Sequence, residues 1–217
     1  DVRVPATRVA CTVLRADDRR PVPAAQVVIL RLDERGEDCF AGNAPADAQG
    51  LAVLEGVHAL GARAARLKWP NDVLVASAKL AGILVEARGP DPAHPHAVVG
   101  VGLNVRQRAF PPELLAERAV TSLALLGVEC ALEEALAELL PRLHARMDEA
   151  CAAPEHTARA YATATGFVGR AVRLVVGKSE FRGRLTALAL GGLELEPEHG
   201  ARTHHALEHV QALETLD

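Results

Sequence analysis

The chain has 217 residues, enough for one sizeable core or for one domain with a small appendage. A net charge of -4 disfavours wholesale nucleic-acid binding, and the 49% hydrophobic content is that of an ordinary globular domain, so no DNA partner is expected. No apolar stretch reaches the length of a membrane span and the N-terminus lacks a signal-peptide pattern, so a cytoplasmic location with no membrane association is expected. Cys11, Cys39, Cys130 and Cys151 are scattered with no C-x-x-C pair, which argues against a zinc site and fits reduced thiols.

Residues 9–14 and 26–32 read as short strands on either side of a charged, proline-containing loop, and 33–45 as a polar loop. A helix is predicted over 47–60, with Asp47 as N-cap, Leu51, Leu54 and Val57 on one face, and Gly61 as the stop. Residues 64–68 and 73–75 are strands joined by Trp69-Pro70-Asn71-Asp72, where Pro70 presets a turn and Asn71 and Asp72 bond their own backbone. The apolar runs 80–87 and 97–105 have the length of central strands, with a proline-rich loop over 89–95 between them. Leu132, Leu136, Leu139, Leu140, Leu143 and Met147 recur at helical spacing, with Pro141 expected to kink that helix or start a new one. A shorter helix over 154–165 ends at Gly166. From Phe167 onward the pattern becomes short strands between glycine-bearing turns, the signature of a small barrel.

Two of these strands carry unusual glycines. Gly82 lies in one apolar run, and Gly100 and Gly102 lie in the other, just before Asn104. A glycine inside a strand leaves nothing to pack, and is expected where a bulge forms or where a ligand or second backbone comes close. Three of them, flanked by Lys79 and Asn104, point to a ligand slot. Lys79 stands at the mouth of its apolar run, where a charge is either a solvated strand end or a partner for an anion. The Gly100-Val101-Gly102 run is not a dinucleotide fingerprint, since the third glycine and the following helix are both missing. His94-Pro95-His96 and His204-His205 have no third ligand placed by spacing, so no metal site is expected.

The three segments "KWPNDVL", "KLAGIL" and "VVGVGLNV", in that order and spacing, resemble the biotin protein ligases, whose active site is largely built from them. The stretch from Gly166 to Glu196 is similar to that family's small SH3-like terminal domain. The resemblance implies an α+β fold in which a mixed sheet flanked by helices, of the biotin/lipoate ligase type, fills residues 1–165. An SH3-like β-barrel then fills residues 166–217. It also implies a ligase that uses ATP, biotin and magnesium to form biotinyl-5'-AMP, and then biotinylates a lysine of a carboxylase's biotin carboxyl carrier domain. On the same basis Lys79 is the catalytic cation and touches biotin. Gly82, Ile83, Leu84 and Gly100 belong to the biotin pocket, while Asn104, Lys68, Asn71 and Asp72 serve the nucleotide. Sheet-edge homodimers are also implied. The chemical need is plain, because a carboxylate must approach a polyanion, and a fixed ammonium offsets that repulsion.

Three family features have no counterpart in the sequence: the Gly/Arg-rich phosphate loop upstream of the first strands, the Ser-Thr biotin-contact motif further upstream, and the N-terminal helix-turn-helix of some members. Counting back from Lys68, the loop falls near or before Asp1. The expectation therefore divides between a ligase whose chain begins inside the domain and a divergent paralogue that binds biotin or a protein partner without adenylation.

Overall fold

The computed structural model describes residues 9–10, 29–30, 47–88 and 96–216. Much of the expected strand and loop sequence before residue 47, the 89–95 loop and two of the four cysteines lie outside the described residues. Two antiparallel sheets and a helical layer make up the rest. The first sheet contains β1 (Val9–Ala10), β2 (Ile29–Leu30), β3 (Ala65–Lys68), β4 (Asp72–Val75), β5 (Ala78–Arg88) and β6 (His96–Leu103), in the order β1-β2-β6-β5-β4-β3.

Every strand pairing in this sheet is antiparallel, which corrects the expected mixed sheet. The cause is local: β3–β4 and β4–β5 are joined by connections too short for a parallel crossover. Among the described residues, parallel contact is confined to a single bridge between Lys79 and Val120.

One face of the sheet is covered by α1 (Asp47–Ala59) and α4 (Pro154–Thr165), with α3 (Leu132–Ala152) packed on those two helices. The sequence shows a single apolar face on α1, yet Ala48 through Leu54 are all buried, because the sheet lies on one side and α3 and α4 on the other. Gly61 follows the helix with φ +114°, as its role as a stop requires. Gly56 permits the close approach of α3, since a Cβ there would lie 2.5 Å from Leu139 Cδ2.

Helix α3 runs unbroken through Pro141. Ala135 and Leu139 before the proline and Leu143 and Met147 after it are all buried, so packing on both sides outweighs the lost backbone hydrogen bond. The sequence pattern missed α2 (Pro112–Glu117) and a 3-10 turn at Ala124–Leu126, both short and without periodicity.

The second sheet contains β7 (Ala171–Val176), β8 (Ser179–Ala189), β9 (Gly192–Glu196), β10 (Thr203–His205) and β11 (Val210–Thr215), in the order β10-β9-β8-β7-β11. Its pairings are all antiparallel, and β10 and β11 form open edges, so strand pairing does not close the expected barrel. Val172, Leu174, Leu185, Leu193, Leu195 and Leu213 are buried and continue the core of the first sheet.

Candidate active site

The face of the first sheet opposite the helices holds the candidate site. Along β3, Leu67 is buried while Lys68 is exposed, and on β4 Val73 is buried between half-buried Asp72 and Leu74. Lys68 pairs with Asp72 across the β3–β4 ladder, so these side chains share the open face.

On β5 the alternation is interrupted. Val73 pairs with Ala81 and Leu74 with Lys79, leaving Leu80 as an extra residue, a β-bulge. Leu80 and Ala81 are consecutive and both in the core. Without the bulge Lys79 would share a face with Ala81, under the helices. With it, Lys79 turns to the open face beside Gly82. The bulge is held by Asn104, whose backbone N–H donates to the Leu80 carbonyl at 3.0 Å. The Asn104 side-chain amide donates to the Thr121 carbonyl at 2.9 Å. Residues 119–121 then flank Lys79, with hydrogen bonds of 2.9 Å from Lys79 N–H to the Ala119 carbonyl and from Thr121 N–H to the Lys79 carbonyl.

This junction frames a cavity of about 360 Å³ lined by Lys68, Asp72, Leu74, Ser77 and Lys79 on one side and by residues 117–119 on the other. It is more polar than the apolar slot expected from sequence. The apolar part of the open face lies farther along β5, where Gly82 stands opposite Gly102 and Leu84 opposite Gly100, and Leu84 is 57% exposed. Gly100 and Gly102 leave a trough of bare backbone, for a Cβ there would meet nothing nearer than 3.7 Å, whereas the space over Gly82 is taken by the end of the Lys79 side chain.

The Lys79 amine forms an ion pair with Asp72 Oδ1, both side chains being about a quarter exposed (25% and 22%). Lys68 makes no ion pair among the described residues. Asn71 contributes its carbonyl to Ile83 N–H at 2.8 Å, tying the turn to β5. The turn is also pinned from the helical side, because the Tyr161 hydroxyl of α4 donates to the Pro70 carbonyl at 2.9 Å.

The structure therefore gathers Lys68, Asp72, Lys79, Gly82, Leu84 and Gly100 on one face. Ile83 differs: its side chain is 2% exposed and belongs to the helix-covered core, so only its backbone reaches the site. Asn104 and Asn71 act here through the bonds that fix the bulge and the turn. Ser77, Glu117 and Arg118 were missed, because only the tertiary bridge at Lys79 and Val120 brings the last two to the cavity. One further signal was present in the composition. Among 24 basic residues only Lys68, Lys79 and Lys178 are lysine, and two of those three line this cavity. Against an arginine background, a retained lysine marks a place where a compact ammonium differs from a guanidinium.

Residues 46–104, which hold this whole constellation of strands, match the model of the biotin/lipoate A/B protein ligase family. That stretch of the chain is similar to the family. The biotin–[acetyl-CoA-carboxylase] ligase of Mycobacterium tuberculosis is 41% identical over 131 residues, covering 58% of this chain and 46% of that protein. The bifunctional ligase/repressor BirA of Salmonella typhimurium is 31% identical over 136 residues, covering 62% of this chain and 42% of that protein. The chain thus matches less than half the length of these two relatives. Among solved structures, the biotin protein ligase from Aquifex aeolicus in complex with biotin and ATP superposes with a TM-score of 0.68 at 21% identity, covering 99% of this chain and 91% of that one. A biotin protein ligase-like protein of unknown function from Silicibacter gives a TM-score of 0.57 at 18% identity, covering 83% of this chain and 76% of that one. These two likenesses establish the shared α+β fold.

Proposed function

We propose that this chain is a biotin protein ligase, which makes biotinyl-5'-AMP from biotin and ATP and passes the biotinyl group to a lysine of a carboxylase's biotin carboxyl carrier domain. The observation that carries this reading is the placement of Lys79. Its amine stands over Gly82, where the bare-backbone trough of Gly100 and Gly102 meets the polar cavity of Lys68, Ser77 and Arg118.

The trough and Leu84 offer an uncharged bed for the rings and chain of biotin, with the backbone of Ile83 beside it. The polar cavity offers cations for a nucleotide, with Lys68 free of any ion pair among the described residues, Asp72 in its wall, and Asn71 and Asn104 fixing the turn and the bulge that carry these residues. In the first step a carboxylate oxygen bonds to the α-phosphorus while the α–β bridging P–O bond breaks and pyrophosphate leaves. Lys79 offsets the negative charge gathered on the phosphoryl oxygens, a contribution of about 3–4 kcal/mol for one preorganised donor. In the second step the acceptor amine attacks the acyl carbon, AMP leaves, and the amine proton passes to solvent.

Among the described residues no three His, Cys, Asp or Glu side chains converge into a metal cage. Magnesium is therefore read as entering on the nucleotide phosphates, where it neutralises charge. Residues 1–165 are read as the catalytic domain and 166–217 as an SH3-like module, whose bulged strands β8 and β11 carry the bends such a module needs. Pairing of sheet edges into a homodimer, a cytoplasmic location and the absence of a DNA partner belong to the same proposal.

A second reading, a relative that binds biotin without activating it, is favoured by one feature: the Lys79 charge is already matched by Asp72. Calorimetry with biotin, followed by ATP and an assay for pyrophosphate, separates the two. Biotin-dependent pyrophosphate release supports the ligase; biotin binding with no release after ATP supports the second reading.

A further inference from the structure

We propose that Asp72 and Gly82 form a seat for the Lys79 amine, which makes Asp72 a positioning residue acting through Lys79. The proposal rests on reading Lys79 as the cation of the reacting site, and assigns a cause for its position.

Three features of the molecule converge on it. The bulge at Leu80 carries Lys79 out of the core and onto the open face, next to Gly82 on the same strand. Asp72 stands directly across the ladder from Gly82. A Cβ built at Gly82 would lie 2.8 Å from both Cε and Nζ of Lys79 and 3.4 Å from Asp72 Oδ1. The missing side chain at Gly82 is thus filled by the end of the Lys79 chain. Any side chain there would expel the amine from the strand surface.

Asp72 supplies the hold. Its Oδ1 is buried, and the Lys79 ammonium lies against it as the charge that compensates it. A buried carboxylate oxygen left without such a partner is costly, which fixes the amine against it rather than letting it sweep the cavity. The space over Gly82 is occupied by Cε and Nζ of Lys79, a tetrahedral ammonium on a thin stem; a planar guanidinium is broader and carries its charge over three nitrogens. A cation held at a defined point stabilises developing charge without reorganising, whereas a mobile one first loses rotamer freedom.

The three lysines of the chain make the test direct. The intact protein is treated with trace acetic anhydride, and acetylation of Lys68, Lys79 and Lys178 is followed by mass spectrometry. Lys68 reports an unpaired amine on the same face, and Lys178 reports the overall fold. In Asp72→Asn, acetylation of Lys79 is expected to rise about fivefold, the factor that a partly exposed ion pair supports, with Lys178 unchanged. Asp72→Glu should restore part of the protection. Gly82→Ala keeps the carboxylate but fills the hollow, and should also speed Lys79 acetylation, which keeps the proposal testable if Asp72→Asn fails to fold. Lys79 acetylation unchanged in both Asp72→Asn and Gly82→Ala overturns the seat. Pyrophosphate release is measured separately: a chain that protects Lys79 as described but forms no adenylate retains the seat and loses the ligase reading.

Discussion

The two faces of the first sheet are built from the same strands and treat their side chains oppositely. Under the helices, Leu67, Val73, Ala81, Ile83 and Val99 are buried and apolar, and each position is set by strand alternation. On the other face the intervening positions are Lys68, Asp72, Gly82, Leu84 and Gly100, a set that buries little and concentrates charge and bare backbone. Alternation alone would place Lys79 in the first group. The extra residue at Leu80 moves it to the second, so one bulge separates a core from a site. The difference teaches that the helix-side face is governed by packing, and the open face by what is left out of it.

Four substitutions break or sharpen this contrast. The largest effect is expected for Lys79→Ala, which removes the open-face cation. Biotin-dependent pyrophosphate release should fall by about 10²–10³-fold, with some lowering of the melting curve because Asp72 loses its partner, and undiminished release would remove Lys79 from the reaction. Leu80→Ala acts on the opposite face, since Leu80 is fully buried; unfolding in denaturant should show a loss of about 3 kcal/mol from the cavity it leaves. A loss confined to Lys79 protection, with stability unchanged, would mean that Leu80 serves the bulge alone.

Gly56→Val tests the helical layer that covers the core face. A branched side chain forced against Leu139 should cost about 1–3 kcal/mol through overpacking, read as a lower denaturation midpoint with no change in Lys79 acetylation. The smallest effect is expected at the outer edge of that layer. Arg146 bonds Glu149 and Glu55, and His156 Nδ1 lies 2.7 Å from Glu149 Oε1. The Arg146 guanidinium, opposed by burial and aided by His156, holds the Glu149 carboxyl below its usual range. A depressed carboxyl adds stability above its unfolded value, and that stability is lost as pH falls through the lower folded value. Glu149→Gln should therefore cost about 1 kcal/mol near neutral pH, and its stability curve should converge with wild type in acid. A constant gap at all pH values would show that the carboxylate charge is not what matters.

Much of the site was legible before the fold, in particular residues. Lys79 and Gly82 stood out because a charge and a gap are anomalous in an apolar strand, whereas Lys68 and Asp72 were assigned only through the family resemblance of the segment that holds them. Ile83 was assigned to the pocket with its neighbours, but strand alternation directs its side chain into the core. Glu117 and Arg118 gave no signal, since a six-residue helix with no buried residues leaves no periodic trace. Pro141 gave a signal that tertiary packing overrode.

Sequence alone determined the resemblance to a family, the longer strands and helices, and the residue types of the strand side of the site, because motif spacing and periodicity are properties of the chain itself. Tertiary structure decided which way Lys79 points, that Asp72 meets it, and that residues 117–119 wall the cavity. Those outcomes depend on a bulge whose freed carbonyl is satisfied by Asn104, twenty-four residues downstream, and no local pattern carries a bond of that range.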